Sequence, residues 1–246
     1  CREFEQMELE YFVKPGTDEE WFRHWVQARL ESWTVLGIKP ENLKVREHGS
    51  DELSHYSKAT SDIEYRFPWG WGELEGIANR ADFDLTQHTA YSGKSLKYYD
   101  EELGDNIVPY VIEPSSGVER PFLAFLADAY TEELERDDLR VVLRLHPAIA
   151  PIKVAVLPLS RKEHLVGLAK QVYTSLSKHW FVQYDDAQSI GRRYRRQDEI
   201  GTPLCVTIDF QSLEDKQVTI RTRDTMVQDR LPIDELIRVV RARLEE

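Results

Sequence analysis

Two acidic segments in the first half of the chain constrain it most, because each of them ends in an arginine. One runs over residues 72–80 and contains Glu73 and Arg80, and the other runs over residues 111–120 and contains Glu113 and Arg120. Burying a carboxylate in such apolar, strand-like runs is costly unless a cation or strong donors meet it. Two arrangements satisfy the pattern: carboxylates on Mg²⁺ with arginines on phosphate oxygens, or internal Glu–Arg ion pairs.

Length, hydropathy and cysteine content exclude several classes of protein. The 246 residues are 41% hydrophobic, which is enough for one large core or two modest ones. No apolar run approaches the ~20 residues that span a bilayer, and the start of the chain has no signal-peptide pattern. Cys1 and Cys205 alone make neither a disulfide framework nor a zinc site. We expect a cytoplasmic protein without a membrane partner and without zinc.

The charge is distributed unevenly and predicts two domains. Residues 1–150 contain 16 Lys or Arg against 30 Asp or Glu, whereas residues 151–246 contain 16 against 14. Pro147 and Pro151 bracket the change of pattern. We predict one domain over residues 1–146 and another over residues 147–246.

The first domain shows both strand and helix periods. Alternation over residues 3–13 predicts a strand. Thr17 and Glu20 have the spacing of a capping box, and the aromatic stripe that follows predicts a helix that ends at Gly37 and packs its stripe in the core. Residues 55–88 are predicted to form two extended runs around a turn. Glu73 and Glu75 would then share one strand face, unless Glu75 is simply solvent-exposed.

A candidate anion receptor follows the second acidic segment. Residues 106–113 are predicted to form a strand that residues 114–117 break. Pro121 suits the first turn of a helix, so Glu119 and Arg120 would lie at its N-terminus, where free N–H groups attract anions.

The second domain is predicted to be α/β. Strands at residues 152–157, 180–184, 204–208 and 217–223 alternate with helices at 161–178 and 232–244, which favours a mixed, mostly parallel sheet. Four arginines surround Tyr194 in residues 189–199. They suit contact with an RNA backbone, or a solvated helix face balanced by Asp198 and Glu199.

Together these motifs resemble the homodimeric class II glycyl-tRNA synthetases. REFEQME (2–8) resembles the second strand of motif 2, and GWGELEGIANRADFDL (70–85) is typical of the glycine enzymes. Residues 113–120 match motif 3, although the general pattern has glycine where this chain has Pro114 and Ser115. SIGRRYRRQDEIGTP (189–203) is similar to the hallmark of a shared anticodon-binding domain. The resemblance implies an α+β class II catalytic domain, an antiparallel sheet with helices, followed by a small α/β anticodon-binding domain.

The resemblance also assigns residues to roles. The catalytic residues would be Glu8, Glu73, Glu113 and Arg120. ATP would contact Arg2, Glu3, Phe4, Glu73, Leu74, Gly117, Val118, Glu119 and Arg120. Glycine would contact Phe4, Glu5, Gln6, Met7, Glu8, Arg80, Glu113, Pro114, Ser115, Ser116 and Gly117. The tRNA would contact Arg192, Arg193, Arg195 and Arg196.

Within these sets the implied contacts are specific. Phe4 would stack on adenine with Arg2 beside the phosphates, and Glu8 would receive the ammonium group of glycine. Glu73 and Glu113 would hold Mg²⁺ on ATP, and Arg120 would contact the γ-phosphate. Ser115, flanked by Pro114 and Ser116, would crowd the α-carbon and exclude a methyl group.

The implied activity is that of a glycine–tRNA ligase. Its partners would be ATP, glycine and tRNA(Gly), its cofactor Mg²⁺ with ATP, and its full-length form a homodimer. The resemblance further implies that the chain starts inside motif 2. It would then lack motif 1 and the arginine that grips the α-phosphate, so we expect the isolated 246 residues not to form adenylate at a useful rate.

Three other functions fit the sequence less well. A non-catalytic tRNA- or nucleic-acid-binding homologue should have lost Glu8, Glu73, Glu113 or Arg120, and all four are present. A class II synthetase for another amino acid does not account for the GELEGIANR and EPSSG segments. A Mg-dependent ATP hydrolase is the weakest of the three, since no P-loop pattern occurs.

Overall fold

The computed structural model describes residues 4–49, 51–135 and 138–245. The chain divides into two compact units, Cys1–Asp128 and Ala129–Glu246. This division precedes the boundary predicted from the sequence, because the paired strands at residues 130–135 and 138–143 belong to the second unit and the latter packs on a helix of that unit. The domain assignment at 146/147 stays a prediction. In the described part of the chain, no helix combines the length and apolar character needed to cross a membrane.

The first unit is an antiparallel sheet with helices. Its elements, in chain order, are β1 (Gln6–Glu8), β2 (Tyr11–Val13), α1 (Asp18–Val35), a 3₁₀ turn (Pro40–Asn42), β3 (Leu43–Glu47), β4 (Ala59–Phe67), β5 (Gly70–Ala81), α2 (Phe83–Ser92), β6 (Tyr98–Asp100), β7 (Asp105–Ile107), β8 (Tyr110–Gly117) and α3 (Glu119–Ala129). The sheet order is β1-β8-β5-β4-β3, and β2 also pairs with β8. The single strand predicted at the start is therefore two short strands. Helix α2 was missed, since residues 83–88 were predicted to be extended.

Helix α1 covers one face of this sheet, as its aromatic stripe predicts. Trp33 is buried, and Trp21, Trp25 and Leu30 pack in the same cluster as Ile77 and Ile112 of the sheet. The predicted capping box is wrong: Thr17 caps no helical N–H, and its hydroxyl donates to Lys14 O instead. Apolar burial therefore defines this helix more than its N-terminal hydrogen bonds do.

A bulge in β5 overturns the prediction that Glu73 and Glu75 project together. Ile63 pairs with Glu75 and the next residue, Glu64, pairs with Glu73, so Leu74 is an extra residue. An extra residue reverses the alternation of faces. Glu75 is buried on the α1 side, whereas Glu73 lies on the opposite face, which we call the site face.

Strand β8 also differs from its prediction. Residues 114–117 do not break the strand but continue it, pairing with β1 on one side and β5 on the other. Pro114 is tolerated because its free side faces the interruption between β1 and β2, where its oxygen accepts from Leu9 N, and prolines in sheets occur at such irregular positions. The strand gives way to α3 directly after Gly117, so the helix N-terminus stands at the end of the sheet.

The second unit has a five-stranded sheet. Its elements are β9 (Tyr130–Glu135), β10 (Asp138–Leu143), β11 (Val154–Pro158), α4 (Glu163–Leu176), β12 (Val182–Tyr184), α5 (Ile190–Glu199), β13 (Leu204–Ile208), α6 (Ser212–Asp215), β14 (Gln217–Thr222), β15 (Gln228–Pro232), a 3₁₀ turn (Ile233–Glu235) and α7 (Leu236–Glu245). The order β12-β11-β13-β14-β15 has two parallel and then two antiparallel pairings. The sheet is mixed as predicted, but it is not mostly parallel, because β15 was missed and β14 returns beside β13.

Candidate active site

The site face is built from three neighbouring strands. Register places Gln6 opposite Gly117, Gly76 opposite Ser115, and Ala78 opposite Glu113. Strand alternation then divides the predicted residues between two faces. Gln6, Glu8, Glu113, Ser115 and Gly117 lie on the face away from α1. Pro114 and Ser116 point the other way, and the Ser116 hydroxyl donates to Leu74 O at 2.8 Å. Of the three residues predicted to crowd the substrate, only Ser115 presents its side chain there.

The two acidic segments exchange their arginines. Arg80, from the first segment, reaches Glu113 of the second at 3.2 Å. Arg120, from the second, stands 3.9 Å from the Glu73 carboxylate and donates to Glu73 O at 2.6 Å. This crossing follows from antiparallel pairing, which sets the arginine end of one strand against the glutamate end of its neighbour. Of the two arrangements that the sequence left open, the structure therefore shows the internal Glu–Arg pairs.

One end of the face is an open cavity of about 310 Å³. It is lined by Phe4, Gln6, Glu73, Leu74, Ser115, Ser116, Gly117, Glu119 and Arg120. Arg120 and Glu73 are each more than half exposed. Arg120 lies in the first turn of α3, where free N–H groups add positive potential. This open end can take an anionic ligand with an apolar or aromatic part against Phe4, which is exposed.

The chain entering β1 is tied to the start of α3. Val118 N donates to Glu5 O at 2.9 Å, and Glu5 N donates to the Glu119 carboxylate at 3.4 Å. Gln6 Nε2 donates to Ser115 Oγ at 2.7 Å. These bonds fix one wall of the cavity. Arg2 and Glu3, which were predicted to contact ATP, lie outside the described residues.

The other end of the face is closed and acidic. Arg80 makes two bonds to Asp84, at 2.5 and 2.7 Å, and its guanidinium lies 4.3 Å from the centre of the Tyr56 ring. The hydrogen bonds from Arg80 hold the pKa of Asp84 below its usual value. Asp84 and the charge of Glu113 in turn raise the pKa of Arg80. The Arg80 guanidinium is thus already bound by Asp84 and Glu113 in the protein without ligand.

Glu113 is the one carboxylate of this end with a strongly altered pKa. Burial raises its pKa to about 7; the charge of Arg80 opposes the rise, and the carboxylates of Glu10 and Glu8 add to it. With Asp84 included, four carboxyl groups lie near a single arginine, so this end has excess negative charge. Such a place favours a small cation, for example an ammonium group.

The two ends are too far apart to share one ion. Glu113 is opposite Ala78, five positions along β5 from Glu73, which is roughly 15 Å at strand spacing. Glu73 is exposed beside an anion receptor, and Mg²⁺ is commonly bound by one or two carboxylates together with substrate phosphates. Glu73 therefore fits the predicted Mg²⁺ role. Glu113 does not, because Arg80 occupies it.

Glu75 has a structural role instead. Its carboxylate accepts from Arg29 Nε at 2.6 Å and from Trp33 Nε1 at 2.7 Å, both on α1. Burial raises the pKa of Glu75, and the bonds from Arg29 and Trp33 oppose the rise. This pair joins helix to sheet beneath the site.

Of the four arginines predicted to contact RNA, three are engaged within the second unit. Arg193 is buried and donates to the backbone oxygens of Ala187, Gln188 and Pro158. Arg195 pairs with Glu135, and Arg196 pairs with Asp185. Arg192 is exposed, and on geometry it is the member of the set best placed to meet a ligand.

Sequence reasoning missed two residues that support the closed end. Asp84 follows Arg80 by four positions, but Arg80 is at the end of β5 and Asp84 in the first turn of α2, so the pair can be predicted only once the strand-to-helix turn between them is recognised. Tyr56 has no comparable signal, because it precedes β4 in an irregular segment and meets Arg80 only through the fold. Glu10 was not predicted either.

Comparison with known proteins gives a consistent result. Residues 153–243 match the family model of the anticodon binding domain. The glycine--tRNA ligase of Thermobifida fusca is 55% identical over 99% of this chain and 54% of its own length. The glycine--tRNA ligase of Caldanaerobacter subterraneus subsp. tengcongensis is 57% identical over 99% of this chain and 52% of its own.

A solved structure supports the fold. The prolyl-tRNA synthetase of Cryptosporidium parvum superposes with a TM-score of 0.68 at 16% identity, covering 98% of this chain and 47% of that protein. The chain spans about half the length of the curated relatives it matches. Over nearly all of its residues, the chain is thus a relative of the bacterial glycine--tRNA ligases, as its motifs predicted.

Proposed function

We propose that this chain contributes glycine activation and tRNA recognition to a glycine–tRNA ligase. The observation that carries the proposal is the pair of crossed Glu–Arg contacts. They give one face a cation receptor at Glu113 and an anion receptor at Arg120, roughly 15 Å apart along the strands. An amino acid that reacts with a nucleoside triphosphate needs a receptor for its ammonium group at one end of the site and a receptor for the phosphates at the other.

The closed end suits glycine. Its ammonium group would lie among the Glu8, Glu10 and Glu113 carboxylates. The bonds from Arg80 to Asp84 would leave these carboxylates able to accept from the ammonium group. Ser115 then stands beside the α-carbon on the same face as Glu113. A side chain larger than hydrogen would meet this strand, and steric exclusion of a larger substrate can be strong.

The open end suits ATP. Phe4 would stack on the adenine, and Arg120 would contact the terminal phosphate with the N-terminal N–H groups of α3 behind it. Mg²⁺, when bound through Glu73 and the phosphates, would neutralise charge on them. The remaining contribution of the chain is to hold the two substrates in line.

The reaction has two steps with ordinary bond changes. An oxygen of the glycine carboxylate attacks the α-phosphorus, and the bond to the bridging oxygen of pyrophosphate breaks. A terminal ribose hydroxyl of tRNA(Gly) then attacks the acyl carbon, loses its proton, and displaces AMP. The second unit would read the anticodon, with Arg192 on the RNA backbone. Homodimer formation and a cytoplasmic location are part of the same proposal.

The test is glycine-dependent exchange between ATP and pyrophosphate in the complete protein that carries this chain. Alanine and serine serve as controls, and Glu8→Ala is measured beside the natural sequence. Exchange with glycine alone, lost in Glu8→Ala, is the expected result. No exchange with any amino acid, despite tRNA binding, would replace the proposal with a non-catalytic tRNA-binding homologue.

A further inference from the structure

The segment between β5 and β8, residues 82–109, is a feature that the activation chemistry does not use; we call it the arm. It contains α2 and the β6–β7 hairpin. The strands that it connects are neighbours, and they bring Arg80 and Glu113 together at the closed end of the site. The arm therefore leaves and rejoins the sheet where the acyl group of the substrate would lie.

The arm exposes an unusual amount of aromatic surface. Every residue from Ala90 to Tyr99 is exposed. Tyr91, Tyr98 and Tyr99 have exposed fractions of 88%, 62% and 54%. Exposed rings gain little from folding, but they are good platforms for unpaired bases, each of which has a stacking face.

The same stretch is basic in an acidic protein. No Asp or Glu occurs between Asp84 and Asp100, whereas Lys94 and Lys97 do, and the whole chain has a net charge of −12. Neither lysine is within salt-bridge distance of a carboxylate among residues 4–49, 51–135 and 138–245; the ion pairs of the arm there are those of Arg80 with Asp84 and of Lys14 with Asp100 and Glu102. Two free cations between tyrosines match a strand of phosphates with bases between them.

The base of the arm is anchored. Asp100 is buried, lies 2.9 Å from Lys14 Nζ, and accepts from Glu102 N and Leu103 N. At the other end, Asp84 holds Arg80. The aromatic, basic stretch is thus anchored at both ends, at Asp84 and at Asp100, and Asp84 is part of the closed end of the site.

We propose that the arm receives the single-stranded 3′ end of tRNA and directs it to the closed end. Tyr98, Tyr99 and Tyr91 stack on the unpaired bases, and Lys94 and Lys97 contact their phosphates. This inference rests on the proposed function, since only a protein that loads an RNA end needs that end beside the acyl carbon. It adds a contact surface that the activation step does not require.

The test compares two RNAs on the complete protein: the tRNA transcript, and the same transcript without its unpaired 3′ nucleotides. Binding is measured over a range of salt concentrations. The affinity difference between the two RNAs is expected to be at least about fivefold in the natural sequence. Changing Tyr98 and Tyr99 to alanine should abolish the difference, while Tyr98→Phe with Tyr99→Phe should keep it, because stacking needs the ring and not the hydroxyl.

Charge is tested separately. The measured quantity is the slope of the logarithm of the binding constant against the logarithm of the salt concentration. Lys94→Ala with Lys97→Ala should make this slope shallower by about 1.4 for the intact RNA, and should leave it unchanged for the shortened RNA. Arg23→Ala with Arg66→Ala removes two exposed charges elsewhere on the same unit, and should leave the difference between the two RNAs unchanged. A difference between the RNAs that persists in the tyrosine variants overturns the inference, as does its absence from the natural sequence. Loss of the proposed function would show separately, as absence of glycine-dependent exchange.

Discussion

The two crossed Glu–Arg pairs have the same chemistry but opposite surroundings. Arg120 and Glu73 are 58% and 55% exposed, and their closest charged atoms are 3.9 Å apart. Arg80 and Glu113 are 17% and 14% exposed, are 3.2 Å apart, and are supported by Asp84 and Tyr56. Solvent screens the first pair, so its arginine can exchange a carboxylate for a phosphate at little cost. The positions of Arg80 and Glu113 are instead fixed before a ligand binds.

The difference shows how one strand pair serves two unlike ligands. A polyphosphate is large, multiply charged and hydrated, and an open arginine can adapt to it. An ammonium group is small, so it is recognised best by carboxylates whose positions are already fixed. Preset geometry at one end and adaptable geometry at the other follow from burial, since the residue types are the same.

Stability should separate the pairs most sharply. Arg80→Ala leaves Glu113 and Asp84 without their cation in a largely buried place, and should lower the free energy of unfolding by about 3 kcal/mol. Arg120→Ala should lower it by less than about 1 kcal/mol, because its pair is exposed. Urea unfolding of the two variants measures this. Equal losses would show that burial does not distinguish the pairs.

For ATP binding we expect Arg120 to have the larger effect, although its loss affects stability less than the loss of Arg80. Arg120→Ala removes a charge-assisted contact to phosphate, which is worth roughly 1.5–3 kcal/mol, or about ten- to a hundredfold in the KM for ATP. Glycine KM should change little. Arg66→Ala, which removes an exposed charge near the end of β4, is the matched control. A rise in glycine KM alone would contradict the assignment of the open end to phosphate.

Proton binding should be confined to the closed end. The pKa of Glu113 is about 7 in the folded protein, against 4.5 for an ordinary glutamate. An ammonium ligand needs the ionised form, so glycine KM should fall as pH rises toward about 7 and level off above it. The KM for ATP should not follow this curve, and Glu113→Gln should remove it.

The same group has an effect on stability with a definite sign. Because folding raises its pKa, the folded state holds a proton that the unfolded chain releases between about pH 4.5 and 7. The contribution of Glu113 to stability is therefore complete below pH 4.5 and is lost as pH rises through 7. A Glu113→Gln variant whose unfolding kept the full pH dependence of the natural protein would exclude this group as the cause.

Local patterns predicted the helices and strands well where burial is periodic. The stripe of α1 and the apolar runs of β11 and β13 needed only spacing and composition. Register is a different matter, because it depends on which strand lies beside which. The segments with Glu73 and Glu113 were correctly singled out, yet the exchange of their arginines could not be read from either segment alone.

Single-residue irregularities defeated the finer predictions. The bulge at Leu74 reverses the face of Glu73 relative to Glu75, and nothing in the local sequence marks it. The arginines of α5 look alike in the sequence, but Arg193 binds three backbone oxygens whereas Arg192 is exposed. Whether a charge is structural or available depends on partners that are distant in sequence.

The smallest expected effect concerns Asp84, a positioning residue that acts through Arg80. Asp84→Asn weakens the hold on Arg80 and leaves more of its positive charge to Glu113, so the pKa of Glu113 should fall by about half a unit to one unit. The midpoint of the glycine KM curve should move to lower pH by that amount, while the KM for ATP stays constant. Asp82→Asn makes the same charge change at an exposed residue whose side chain caps no helical N–H, and its curve should not move. If Asp84→Asn lowered stability yet left the midpoint in place, Asp84 would support the fold of α2 without tuning the closed end. The comparison between a preset and an adaptable pair would then rest on burial alone.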